Sequence, residues 1–173
     1  MTRYQLAKLV KWAGTLHSRK RLQKVVFLLQ AGGCPFDAEY TLHHYGPYSQ
    51  EVARLSDEMV QVGLLNEESE QNQVGLQYSY DLPDSVEKEI AELEGTAKGK
   101  KMAAHLSPFE AQAKELLNKT DLWLLEVAST MVYFRKKGNT WPDAVERTCN
   151  FKKLTANAGV VKKAEGLAHQ FVD

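Results

Sequence analysis

Residues 41–65, TLHHYGPYSQEVARLSDEMVQVGLL, constrain the fold more than any other stretch of the chain. They predict a short strand, a tight Tyr45-Gly46-Pro47-Tyr48 turn, a helix and a glycine stop. Ser49 is placed to cap the helix, because its hydroxyl accepts from a free N–H of the first turn. Val52, Leu55, Met59 and Val62 recur at three- and four-residue steps, which is one apolar helical face. Gly63 supplies the left-handed residue that ends such a helix, and Leu64-Leu65 starts a strand. Helix, glycine, then strand is the second half of a winged-helix unit.

A hairpin is expected next, in the place of a wing. Residues 64–68 and 73–82 read as two strands around a polar tip. LQYSYDL alternates, with Leu76, Tyr78 and Tyr80 on one face and Gln77, Ser79 and Asp81 on the other. Pro83 ends it. Two helices precede the central stretch. Residues 4–13 bury Leu6, Leu9, Val10 and Ala13 and turn Lys8 and Lys11 outward. Residues 14–18 form a turn, and Ser18 caps a second helix over 19–31. Past Lys24 that helix is nearly all apolar, so its C-terminal half is buried, and Gly32-Gly33 stops it.

Beyond Pro83 the chain reads as helical. Val86, Ile90 and Leu93 mark a helix to about residue 94. Residues 95–101, GTAKGKK, read as a linker. Ser107-Pro108-Phe109-Glu110 reads as a capped helix start. Residues 121–137 are apolar almost all round, so this helix needs cover on most sides. Arg135, Lys136 and Lys137 suit its C-terminal end. Further helices start at Thr140 and lie within 155–171. The expected fold is mainly α with a small antiparallel β-hairpin. A winged-helix-like part over 1–82 is followed by a helix and linker over 83–101 and a helical part over 102–173, on one shared core.

Charge is unevenly spread. Residues 1–33 carry seven Lys/Arg and no Asp/Glu, residues 34–95 carry two against fourteen, and residues 96–173 carry thirteen against eight. The pattern suggests a polarised surface or segments that pair in the fold. No apolar run approaches the roughly 18 residues of a membrane span. Arg3, Lys8 and Lys11 interrupt the N-terminal apolar positions, which argues against a signal peptide. Cys34 and Cys149 lie far apart with no CxxC pairing, as expected for two reduced thiols. The expectation is a cytoplasmic protein that contacts no membrane and needs no cofactor.

Three functional readings follow. Nucleic-acid binding rests on the basic cluster Arg19, Lys20, Arg21 and Lys24, since Lys and Arg carry phosphate affinity. The central helix opposes it: Gln50, Glu51, Asp57 and Glu58 accompany only one base, Arg54, and the wing carries Glu67, Glu68 and Glu70. The connection between the second and central helices is also too long for a helix-turn-helix. Protein contact rests on aromatics near the turn, Phe36, Tyr40, Tyr45 and Tyr48, because tyrosine is enriched at interfaces. Catalysis rests only on His43-His44, whose rings face opposite sides of a strand. No HExxH, GxGxxG, P-loop or GxSxG occurs. The candidate partner- or nucleic-acid-binding residues are Arg19, Lys20, Arg21, Lys24, Tyr45, Tyr48 and Arg54.

Three segments carry a family resemblance: Arg19-Lys20-Arg21-Leu22-Gln23-Lys24-Val25-Val26-Phe27-Leu28-Leu29 in the second helix, Tyr45-Gly46-Pro47-Tyr48-Ser49 before the central helix, and Leu124-Leu125-Glu126-Val127-Ala128-Ser129-Thr130. Together they resemble the YwgA-like proteins and, more distantly, the Panacea domain of SocA-like antitoxins. The resemblance implies a compact helical fold with a winged-helix-like part and brings no enzyme activity. The Panacea relatives imply neutralisation of a toxin by direct contact, in some cases linked to protease delivery. The expected function is a non-enzymatic binding or regulatory protein whose partner is a protein, a toxin being the partner that the Panacea resemblance implies. The alternative is a winged-helix DNA-binding regulator.

Overall fold

The computed structural model describes residues 1–72 and 75–173. The fold is mainly α with small antiparallel strand pairings. Helix α1 (Arg3–Ala13) is opened by a capping box, in which Thr2 and Gln5 satisfy each other's backbone N–H groups. Leu6, Leu9 and Val10 are buried as expected, joined by Trp12, whereas Ala13 is only partly buried. Lys8 does not point into open solvent. Its ammonium lies 2.8 Å from Glu94, whose carboxylate also accepts from the Tyr4 hydroxyl at 2.6 Å.

The stretch read as a turn holds a two-residue strand, β1 (Leu16–His17). It is too short to show a period-two pattern in sequence. Helix α2 (Arg19–Ala31) follows, with Ser18 capping through Lys20 N–H. A short antiparallel pair comes next, β2 (Thr41–His43) and β3 (Gly46–Tyr48), in the register Thr41↔Tyr48 and His43↔Gly46. The tight turn is therefore His44-Tyr45, and Gly46 to Tyr48 is strand rather than turn.

Helix α3 (Gln50–Gln61) is capped by Ser49, whose hydroxyl accepts from Val52 N–H. Val52 and Met59 are buried and Leu55 partly so, but Val62 is 58% exposed, because the helix has ended there. Strands β4 (Asn66–Asn72) and β5 (Gly75–Asp81) pair antiparallel, and β1 adds to the other edge of β5 in the order β1-β5-β4. The hairpin is longer than expected, since Glu68 to Asn72 pair with Ser79 to Gly75 instead of forming a tip. Residues Gln73 and Val74, the expected start of the second strand, lie outside the described residues. Burial fades along the expected apolar face, from Tyr80 at 1% exposed to Leu76 at 52%, so the hairpin projects from the body.

Helix α4 (Asp84–Gly95) turns at Thr96 into helix α5 (Ala97–Leu106). Residues 95–101 are thus a helical corner, not a linker. Thr96 caps α5 through Gly99 N–H, and a side chain at Gly99 would collide with the Leu93 carbonyl, so glycine lets the two helices touch. Ser107 caps nothing. It continues the chain as a short 3-10 turn into helix α6 (Glu110–Asn118), and its hydroxyl donates back to the Ala104 carbonyl.

Helix α7 (Leu122–Lys136) starts at the Asp121 cap and is buried on every side from Leu125 to Val132. It packs on α2, on β3, and on helices α8 (Trp141–Lys152) and α9 (Gly159–Ala168). The core is one continuous cluster from Leu6 to Phe171. No helix among the described residues is long and apolar enough to cross a membrane.

Candidate functional site

The site is built where the side chains of α2 reach the strand pair ahead of α3. Gln23 is buried and exchanges two hydrogen bonds with one residue. Its Nε2 donates to the Ser49 carbonyl at 3.0 Å, and its Oε1 accepts from Ser49 N–H at 2.8 Å. Lys24 comes next on the helix. Its ammonium donates to the Pro47 carbonyl at 2.7 Å, and the side chain is 2% exposed. Gly46, with φ +100°, is seated against α7. A β-carbon there would stand 2.6 Å from Thr130 Oγ1. Two of the sequence motifs, Leu22-Gln23-Lys24 and Tyr45-Gly46-Pro47-Tyr48-Ser49, therefore hold each other.

Under the strand pair lies a buried ionic cluster that the sequence reading missed. Glu126, in the middle of α7, is 5% exposed and pairs with the Lys152 ammonium at 3.1 Å. Burial pulls the Lys24 ammonium down to about 7; the Glu126 carboxylate works against this, and Lys152 and Lys20 add to it. Burial also lowers Lys152, again opposed by Glu126. Two buried ammonium groups thus face one carboxylate. The available signal was a glutamate inside an otherwise apolar helix, because such a residue is almost never buried without a partner.

Between α2, the strand pair and α3 opens a cavity of about 340 Å³. Lys20 and Lys24 line it on the α2 side, His43, His44, Tyr45 and Tyr48 on the β2–β3 side, and Ser56 and Asp57 on the α3 side. Tyr45 is 54% exposed, and the Lys20 ammonium sits 3.4 Å from the centre of its ring, in cation–π contact. The His43 and Tyr48 rings lie 4.8 Å apart. Among the described residues, no group of three or more His, Cys, Asp or Glu is placed to hold a metal ion.

The four bases of the expected cluster have separate tasks. Arg19 donates to the Tyr80 hydroxyl at 2.7 Å and to Glu67 at 2.8 Å, and stacks on Tyr78, so it pins α2 to the β-sheet. Arg21 donates to the Leu116 and Thr120 carbonyls and closes the end of α6. Lys24 is buried and Lys20 covers Tyr45. The cluster is not the solvated row that its spacing suggests. Arg54, on the exposed side of α3, pairs with Glu58 at 3.6 Å. Phe36 is fully in the core, and Tyr40 packs edge-on against Phe27 at 4.9 Å, so neither is a contact anchor. Of the turn aromatics, Tyr45 and Tyr48 reach the cavity.

Over 81 residues the chain is 33% identical to the uncharacterized protein YwgA of Bacillus subtilis (strain 168). The chain is YwgA-like over that span. The match covers 47% of this chain and 49% of that protein, so it spans about half the length of its relative. No family model matches the chain.

Proposed function

We propose that this YwgA-like chain is a non-enzymatic binding protein that works by protein–protein contact, in the manner of an antitoxin or regulator, with its partner seated at the cavity beside Tyr45. One observation carries the reading: Tyr45 stands exposed at the mouth of a cavity whose other walls are fixed by buried hydrogen bonds from Gln23 and Lys24. A rigid aromatic at the rim of a preformed pocket is the arrangement that concentrates binding energy at interfaces. The antitoxin comparison itself rests on the more distant resemblance to the Panacea domain, and a toxin is the partner it suggests.

The alternative, DNA binding, is favoured by the order of elements, in which α3 is followed by the β4–β5 hairpin, with β1 paired beside β5, as in a winged helix. Charge opposes it. Arg19 is tied to Glu67, Arg21 to carbonyls of the helical part, and α3 presents Glu51, Asp57 and Glu58 beside Arg54. A helix with that balance repels phosphates.

Affinity purification of the tagged protein from its native cells, split into nuclease-treated and untreated halves, separates the two. A stoichiometric protein that survives nuclease and is lost from Tyr45→Ala supports the contact reading. Nucleic acid in the untreated half with no protein partner contradicts it.

A further inference from the structure

The buried ionic cluster and the cavity share a residue, Lys24. With Lys20 one turn earlier on α2 and Lys152 on α8, three ammonium groups interact electrostatically across the wall beneath the cavity, and Glu126 on α7 is the carboxylate set against them. A positive charge in a low-dielectric site seeks a counter-charge. Within the cavity, Asp57 on the opposite wall lies 3.7 Å from Arg19, a further base of the same lining, which partly offsets its charge.

We infer that the cavity binds a side-chain carboxylate, glutamate or aspartate, on an acidic segment of the protein partner, with Lys20 as its direct counter-charge, the buried Lys24 adding positive field from beneath, and Tyr45 and Tyr48 covering its aliphatic stem. The inference rests on the contact reading above and names the partner's chemistry. A single carboxylate fits better than a nucleic-acid backbone, because Glu51, Asp57 and Glu58 along α3 oppose a run of phosphates while leaving room for one negative charge at Lys20. Filling the site raises the proton affinity of Lys24. Around pH 7 and above, binding therefore takes up protons in proportion to the unprotonated fraction of Lys24. Glu126, Lys152 and Lys20 are the charged groups that face Lys24 from α7, α8 and its own helix.

The test is an amide-shift titration of the isotopically labelled full chain with three probes: N-acetylglutamate α-amide, its glutamine counterpart, and thymidine 5′-monophosphate. The glutamate probe is expected to shift the amides of Lys20, His44 and Tyr45 saturably, at least tenfold more tightly than the glutamine probe. Lys20→Met should weaken it at least fivefold without changing the spectrum of the free protein elsewhere. Equal binding of the glutamate and glutamine probes, or shifts confined to other parts of the chain, overturns the carboxylate site. Tighter binding of the nucleotide overturns it in favour of a phosphate site. Failure of the inference and failure of the contact reading remain distinguishable. If Tyr45→Ala loses the captured partner but the glutamate probe does not bind, only the carboxylate is wrong. If the probe binds but Tyr45→Ala captures the partner normally, the cavity is not the partner's site, and the proposal fails as stated.

Discussion

Gln23 and Ser49 exchange two hydrogen bonds, one in each direction, although 26 residues separate them. The amide of Gln23 thereby takes the place of a neighbouring strand for the residue that starts α3. Ser49 is fully buried, and its own hydroxyl caps the helix. One side chain on α2 thus fixes the entry angle of α3 and, with Lys24 on Pro47, the position of the strand pair between them.

Gln23→Leu should be strongly destabilising for this reason. It leaves the buried N–H of Ser49 without a partner, while the Ser49 carbonyl keeps the Ala53 N–H at 3.2 Å, and an unsatisfied buried group costs about 1–3 kcal/mol. Denaturant unfolding should show a loss of roughly 1–3 kcal/mol with the slope unchanged. A loss under about 0.5 kcal/mol, the size of an ordinary surface substitution, would mean that the clasp does not set the stability.

Gly46→Ala tests the seat of the strand pair on α7. The new β-carbon meets Thr130 Oγ1 at 2.6 Å, and φ of +100° is strained for any L side chain. A loss of about 2 kcal/mol or more is expected from strain alone. Gly46→Ala with Thr130→Ser should not rescue it, because the hydroxyl stays in place. Full recovery in the double variant would show that the backbone carries no strain.

Glu126→Gln removes the carboxylate that two ammonium groups share. Breaking a buried pair by deleting one partner costs about 3–5 kcal/mol, since the remaining charge is stranded. The variant should unfold at correspondingly lower denaturant, and Lys152→Met in the same background should restore part of the loss. If Glu126→Gln is neutral on its own, Lys152 is not held as a charged partner.

Lys24 gives a pH signature. Its ammonium titrates near 7 in the folded chain and near 10.5 when unfolded, so the unfolded state holds the extra proton between those values. Stability from this group therefore rises as pH climbs from about 7 toward 10.5, and the full penalty stands below 7. Lys24→Met removes that slope. The gain of Lys24→Met over the natural chain should be largest at pH 6 and shrink by pH 9, by an amount on the order of a few kcal/mol. A pH-independent difference would mean that Lys24 keeps its ordinary proton affinity.

Much of this arrangement was legible in the sequence because the signals were local. Ser49 and Gly63 bracket α3 by capping chemistry, and the apolar run around Leu125 to Val132 announces a helix covered on all sides. What escaped depended on pairing across distance. β1 has two residues and becomes a strand only because Tyr80 and Ser79 lie beside it. Residues 95–101 carry the composition of a linker, yet Gly99 is there so that α5 can approach the Leu93 carbonyl. The same limit explains the site. Arg19, Lys20, Arg21 and Lys24 are four positives within six residues, but the helix period sends Arg21 toward α6, Lys24 into the core and Arg19 onto the sheet. Only the partners that the fold supplies show that they do not make one surface. Burial separates Tyr45 from Phe36, whereas Tyr40 and Tyr48 are both half-buried and differ in what they touch, the core in one case and the cavity in the other.

The central claim is that a protein partner sits at Tyr45. The most direct measurement places a photo-crosslinking phenylalanine analogue at Tyr45 and, as a control, at the exposed Glu92 of α4, and irradiates native cells. The account predicts one discrete, nuclease-resistant protein adduct from position 45, absent from position 92. No protein adduct from position 45, or the same set of adducts from both positions, would contradict it.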